Sequence, residues 1–185
     1  MTENRGSGRR EEIVAVAREL LEEHGPDGLS MRRIADRLSM RAPSLYKHLP
    51  HKRALESALI SSGFEELAAV FDRLQPATRA DAMREIGHAY RAFALEHPHL
   101  YRLMTERELD RESLAPGVED AAAELIVQAA GGDGDLARAA WAFAHGMAVL
   151  ELNHRFPPGA DLDAAWERGL QAIIAAAPDP SAPVA

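Results

Sequence analysis

Residues 30–49 read SMRRIADRLSMRAPSLYKHL, and this stretch is the most informative part of the chain. Ser30 is a good N-cap for a helix predicted over residues 31–38. After a short break, Pro43 stands where proline is favoured, in the first turn of a second short helix predicted over residues 42–49. Two short helices joined by so tight a break have the anatomy of a helix-turn-helix, which places its second helix in the major groove of DNA.

The second helix of this unit is expected to bury one side and present the other. Leu45 and Leu49 anchor it to a core formed by Ile34, Leu38 and the preceding helix. The exposed side then carries hydrogen-bond donors and one flat ring, with no acid among Arg41, Pro43, Ser44, Tyr46, Lys47 and His48. This chemistry suits phosphate groups and base edges. A solvated basic hairpin without DNA affinity is the alternative interpretation.

Helical spacing continues on both sides of this unit, without an alternating strand pattern or an Asn-Gly hairpin. An earlier helix is predicted over residues 9–24, ended by Gly25, and a later one over residues 51–74. Further helices are predicted over residues 80–96, 99–104, 118–130, 136–156 and 162–177. The fold class is therefore all-α, with about nine helices.

The charge of the chain is unevenly distributed. The net charge is −8, but residues 1–60 hold eleven Lys or Arg against nine Asp or Glu, while residues 61–185 hold ten against twenty. This split suits a DNA-binding head on an acidic body. The chain has no cysteine, no run of eighteen apolar residues and no apolar signal core at its start, so we expect a cytoplasmic protein without membrane contact.

Residues 39–55, SMRAPSLYKHLPHKRAL, resemble the signature of the TetR family of repressors, in which Leu-Tyr, His and a later Lys and Leu recur at this spacing. The resemblance covers residues 10–56 closely. It implies a homodimeric transcriptional regulator, and a repressor is favoured over an activator. Such a dimer would read a palindromic operator in double-stranded DNA with two helices about one turn apart, roughly 34–36 Å.

The resemblance also implies roles for single residues near the DNA. Ser30 would cap its helix and touch phosphate, and Arg32 would reach a phosphate or a guanine edge. Pro43, Ser44 and Lys47 would face the bases. The phosphate contacts would come from Tyr46, His48 and Lys52, while Arg41 could serve either purpose. The family usually has glycine where Ser39 stands, so a left-handed conformation there would carry a small cost.

The later part of the chain resembles one type of TetR-family regulatory domain, named for its Trp, His and Gly. Residues 89–104 and 141–147 carry this match, which spans roughly residues 80–175. It implies binding of an unknown small-molecule effector. Candidate pocket residues, which could equally be core, are Tyr90, Phe93, His97, Tyr101, Met104, Trp141 and His145.

Two late helices are apolar on two sides, which predicts burial on two sides and hence a dimer. The helix from residue 136 has one stripe of Leu136, Ala140, Phe143, Met147 and Leu150, and a second of Trp141, Ala144, Ala148 and Leu152. Pairing with the symmetry mates would form a four-helix bundle. Expected interface residues are Leu152, Ala165, Gly169, Ala172 and Ala176. A monomer with an unusually apolar core is the alternative.

The domain prediction is a DNA-binding domain over residues 9–56 and a ligand-binding and dimerisation domain over residues 57–177. Residues 1–8 and 178–185 are expected to be disordered tails. Motifs of metalloproteases, serine hydrolases and phosphate-binding loops are lacking, so we expect no enzyme, no cofactor and no metal site. A helical protein-interaction module without DNA binding is the competing function.

Overall fold

A computed structural model describes residues 3–177, and side chains are described from residue 8 onward. This part of the chain contains nine α-helices and no strand, which confirms the all-α prediction. The helices are α1 Glu3–His24, α2 Met31–Arg37, α3 Ala42–Tyr46, α4 Lys52–Asp72, α5 Arg79–Glu96, α6 Pro98–Thr105, α7 Val118–Ala129, α8 Gly134–Leu152 and α9 Leu162–Ala175. No helix among the described residues has both the length and the apolar character needed to cross a bilayer.

Three helix ends differ from the sequence pattern by three residues or more. Helix α3 ends at Tyr46 instead of residue 49, and turns follow it. Helix α1 begins at Glu3, whereas a disordered segment was expected up to residue 8. Helix α8 ends at Leu152 instead of Phe156, because His154 takes a left-handed conformation with φ 51°. Residues 178–185, expected to form a tail, lie outside the described residues.

The described chain divides into two compact units. The first comprises residues up to 64 together with 97–118, and the second comprises residues 65–96 together with 119 onward. The boundary therefore falls within α4, later than the expected limit at residue 56, and α6 belongs to the first unit. Sequence spacing did not indicate this, because α6 is held by the carboxylate of Glu22, which lies 77 and 78 positions before the two residues that donate to it.

Glu22 of α1 caps the start of α6. The Glu22 carboxylate accepts hydrogen bonds from the backbone N–H groups of His99 at 3.2 Å and Leu100 at 2.8 Å. A carboxylate at a helix N-terminus satisfies otherwise unpaired amides and complements the helix dipole. The His99 ring also lies against Gly25, whose φ of +68° ends α1.

In the second unit, α5, α8 and α9 pack together around Trp166 and Leu170, which are 0% and 1% exposed. Gly87 lets the Leu170 side chain approach α5 closely. The fully buried residues of α8 are all alanines, at positions 137, 140, 144 and 148, and the half-buried Phe143 packs edge-on against Trp166. In the single chain, Trp141 of the second predicted stripe is 49% exposed, whereas Ala144 and Ala148 of the same stripe are buried.

Candidate nucleic-acid interface

The turn between α2 and α3 is shaped by its own backbone. Ser30 caps α2 as predicted, with its Oγ accepting from the Arg33 N–H at 3.2 Å. After α2, Ser39 has φ 52°, and the Met40 N–H donates to the Ala35 carbonyl at 2.8 Å. This is the hydrogen-bond pattern of a Schellman ending, which stops α2 and redirects the chain into α3.

The first unit holds this pair of helices on a buried core. Leu45 and Leu49 are 0% and 2% exposed, and Ile34 is fully buried beside residues of α1. On the surface, Arg37 of α2 donates to Glu23 of α1 at 3.0 Å. This hydrogen bond from the Arg37 guanidinium lowers the pKa of the Glu23 carboxyl. The anchoring predicted from the apolar spacing is therefore present.

The predicted DNA-contacting residues differ in exposure. Six are exposed: Arg32, Arg41, Pro43, Tyr46, Lys47 and Lys52. Ser30, Ser44 and His48 are half-buried. Ser44 lies within α3, which has only five residues, Ala42–Tyr46, and His48 follows the end of that helix.

The outer face is cationic. Arg32, Arg41 and Lys47 make no ion pair with a carboxylate of the described residues. Lys52 lies 3.9 Å from Glu56, one helical turn along α4. Cations without an acidic partner are free to approach phosphate groups, whose neutralisation supplies much of the affinity of DNA-binding proteins.

Two contacts at the start of α4 were not predicted from the sequence. The His51 Nδ1 accepts from the Ala54 N–H at 3.0 Å and so caps α4. Arg53, the residue after Lys52, pairs with Asp110 at 2.8 Å. The cap has a sequence signal in the polar residue directly before a helix, but the ion pair joins residues far apart in the chain and had none.

The seven candidate effector residues fall in both units. His97, Tyr101 and Met104 belong to the first, where Tyr101 and Met104 are buried and Met104 packs against Gly63. The other four belong to the second unit. Tyr90 and Phe93 are buried there, whereas the exposed Trp141 stacks on His145 with ring centroids 6.0 Å apart.

Within the second unit, Tyr90 and Trp141 line a cavity of about 20 Å³ together with Leu170. This volume holds roughly one water molecule, far less than a typical small-molecule pocket. A cavity of about 370 Å³ lies instead where α4 and α7 end and α5 begins, lined by residues that include Phe71, Arg79, Ile86, Leu125 and Gln128. None of the seven candidates lines this larger cavity.

The expected dimer residues lie on α8 and α9. Ala165, Ala172 and Ala176 are exposed, and Leu152 is half-buried. Gly169 is half-buried, and the Phe143 ring of the same chain occupies the space that a side chain would fill. Close approach at Gly169 therefore serves packing within the protomer. No group of three potential metal ligands occurs among residues 3–177.

A capped helix, a left-handed turn and a short second helix with a cationic face define a helix-turn-helix protein. The family described as bacterial regulatory proteins, tetR family, matches residues 13–59, and a tetracyclin repressor-like C-terminal domain matches residues 83–173. The chain belongs to the TetR family of DNA-binding transcriptional regulators.

Named relatives agree with this assignment. The uncharacterized HTH-type transcriptional regulator Rv0681 of Mycobacterium tuberculosis is 30% identical over 152 residues, covering 77% of this chain and 70% of the relative. The tetracycline repressor protein class C of Escherichia coli is 47% identical over 51 residues, covering 28% of this chain and 23% of that repressor. The crystal structure of a TetR variant from Acinetobacter baumannii AYE in complex with minocycline superposes with a TM-score of 0.64 at 26% identity, covering 88% of this chain and 92% of that one.

Proposed function

We propose that this chain is a ligand-responsive repressor that binds a palindromic operator as a homodimer and is released by a small-molecule inducer. One observation carries the DNA-reading part of the proposal. The outer face around α3 presents Arg41, Tyr46 and Lys47 with no carboxylate partner for either cation among the described residues.

The roles of single residues follow from the chemistry of contacts to base edges and of contacts to phosphate groups. Lys47, at the C-terminal end of α3, would donate to guanine O6 or N7, and Pro43 would pack on a thymine methyl group. Tyr46 and Lys52 would bind phosphate groups and set the register of the protein on the duplex. The half-buried Ser30, Ser44 and His48 would contact DNA through the part of each side chain that is exposed.

A homodimer is supported by the outer faces of α8 and α9. Both carry exposed alanines, among them Ala142, Ala165 and Ala172, and the exposed Leu150 extends the apolar surface of α8. Small apolar residues allow close approach of helices, and a two-fold axis would bring each face against its copy. The paired heads would then read the two halves of a palindrome.

Response to an effector is supported by the match to a tetracyclin repressor-like C-terminal domain and by the likeness to a TetR bound to minocycline. We assign the domain to the Trp-His-Gly type, whose three residues here are Trp141, His145 and Gly146 on α8. An inducer would act only by preferring the conformation that does not bind DNA. A regulator of chromosomal operators would work in the cytoplasm.

The test begins by selecting binding sites for the purified protein from random duplexes, followed by affinity measurements over a salt series. We expect a palindrome, with affinity that falls steeply as salt rises. Lys47→Ala should weaken binding by about tenfold or more and relax specificity at one base position. Arg73→Ala, which removes an exposed cation directly after α4, is the matched control and should leave affinity unchanged.

Failure to bind any duplex at low salt would have two explanations. A co-purified effector would hold the released state, and refolding the protein after denaturation would then restore binding. If the refolded protein also binds no duplex, the repressor proposal is wrong, and a helical protein-interaction module becomes the better description.

A further inference from the structure

The segment after α6, residues 106–117, carries Asp110, which forms an ion pair with Arg53 at the start of α4. The Asp110 Oδ2 lies 2.8 Å from the Arg53 Nη2, although the two residues are far apart in the chain. The Arg53 side chain is 72% exposed and that of Asp110 is 31% exposed. The guanidinium therefore has open access to solvent apart from this one carboxylate.

The carboxylate is held in place by its own segment. The Ser113 hydroxyl donates to Asp110 Oδ2 at 2.7 Å, and this bond together with the nearby Arg53 lowers the pKa of Asp110. The segment is tied to α4 again further along, where the Ala115 N–H donates to the buried Ser61 hydroxyl at 3.0 Å. Asp110 thus stays ionised at neutral pH and is positioned before any DNA arrives.

Arg53 lies where a phosphate contact is expected. It directly follows Lys52, an exposed residue assigned to phosphate in the proposed function, and both belong to the first turn of α4. Arginine binds carboxylate and phosphate with the same planar set of N–H donors. A guanidinium engaged by Asp110 therefore has fewer donors to offer to the DNA backbone.

We propose that Asp110 competes with operator phosphate for Arg53, so that the segment following α6 limits the affinity of the regulator for DNA. Arg53 is then a further DNA-binding residue, and it binds phosphate with all of its N–H donors only when its ion pair with Asp110 is broken. The inference rests on the proposed DNA binding, and it names a contact that the resemblance of the chain to its family did not supply.

The test compares operator affinity over a salt series for the wild type, Asp110→Asn, Arg53→Gln and the double variant, using the duplex recovered by site selection. Asp110→Asn should bind about four- to twenty-fivefold more tightly at low salt, because the homodimer carries the change twice and one exposed ion pair can supply about a two- to fivefold effect. Its salt dependence should steepen by about 1.8 in log–log slope, because each of the two protomers adds one phosphate contact. In the double variant, both effects should vanish.

Glu112→Gln is the matched control. It removes the same charge two residues away, and Glu112 makes no ion pair with a described residue. Equal tightening by Glu112→Gln, or tightening by Asp110→Asn that persists without Arg53, would show a general charge effect and overturn the inference. Unchanged or weaker binding by a folded Asp110→Asn would overturn it too, with folding checked by thermal unfolding. Because wild-type binding is measured in the same series, failure of the DNA-binding proposal itself would be recognised separately.

Discussion

Ser39 adopts a backbone conformation that serine rarely takes. Its φ of 52° lies in the left-handed region, where a side chain meets its own backbone. The Schellman hydrogen bonds around it require that conformation, because the Met40 N–H must reach back to the Ala35 carbonyl. The turn between α2 and α3 therefore forms against a local preference, which the surrounding packing overrides.

Ser39→Gly should stabilise the protein. Glycine takes positive φ without a steric cost, and the expected gain is about 0.5–1 kcal/mol after its extra freedom in the unfolded state is counted. The measurement is the midpoint of urea unfolding. Ser39→Ala serves as the comparison and should give no gain, because alanine keeps the Cβ. A lower midpoint for Ser39→Gly than for the wild type would contradict this account of the turn.

Three helices of the second unit meet at one arginine. Arg91 on α5 donates to both carboxylate oxygens of Glu151 on α8, at 2.7 and 2.9 Å, and to Asp163 on α9 at 2.6 Å. Its guanidinium lies 5.6 Å from the ring centroid of Trp166, whose Nε1–H donates to Glu151 at 3.1 Å. The Arg91 and Glu151 side chains are only 17% and 13% exposed. If one of them were replaced, water would therefore compensate little for the hydrogen bonds that the other loses.

Arg91→Met should lower the free energy of unfolding by about 2–3 kcal/mol. Methionine keeps much of the volume, but Glu151 is left as a largely buried charge whose remaining described hydrogen bond comes from Trp166. Chemical denaturation measures the loss. Adding Glu151→Gln, which removes the charge and keeps an acceptor for Trp166, should recover more than half of it.

Arg84→Met provides the matched control on the same helix. Arg84 pairs with Glu167 of α9 at 2.9 Å, but both side chains are 34% exposed, and exposed pairs contribute little. A loss below about 1 kcal/mol is expected there. If the two methionine variants lose equal stability, the partial burial of the Arg91 cluster has no energetic importance.

For the molecule as a whole, we expect assembly of the proposed homodimer to depend on the outer faces of α8 and α9. Ala172→Glu adds a charge to an exposed position with a good helix former, so a single chain should fold as before. Across a two-fold axis, both copies would carry the charge into the interface. We expect the dimer dissociation constant to rise by about a hundredfold or more, measured by sedimentation equilibrium.

The control for assembly is Ala123→Glu, an exposed alanine on α7, a helix that the proposed interface does not include. It should leave the dimer intact. Operator affinity should fall in parallel with dimerisation in Ala172→Glu, because one head reads only half a palindrome. A wild type that sediments as a monomer at micromolar concentration, or a dimer insensitive to Ala172→Glu, would refute the assigned interface.

Much of the site could be predicted because its signals are local. Each signal involves residues only a few positions apart in the chain. These signals are the cap at Ser30, the apolar spacing of Leu45 and Leu49, and the acid-free stretch from Arg41 to Lys52. The half-burial of Ser44 and His48 was not predicted, since it depends on how α3 and the residues that follow it pack against α2.

The effector site was the weakest part of the sequence-based interpretation, for a physical reason. Aromatic residues at helical spacing indicate an apolar face, but spacing does not distinguish a filled core from a cavity. The structure buries Tyr90, Phe93 and Tyr101 and exposes Trp141, while the larger cavity of the second unit forms at helix ends that the stripes did not mark.

Local sequence was enough to predict the helix-turn-helix class of this protein, its helical architecture and the position of the short helix α3, because caps, breaks and apolar periods are short-range effects. Tertiary packing was needed to show that α6 belongs to the first unit and that Asp110 contacts Arg53. It was also needed to show that Arg91 of α5 forms hydrogen bonds with residues of α8 and α9. Arg91 lies 60 and 72 positions from its two carboxylates, and Glu22 lies 77 positions from the His99 N–H it caps. Packing brings such distant residues together, and no local pattern records which partner each will meet.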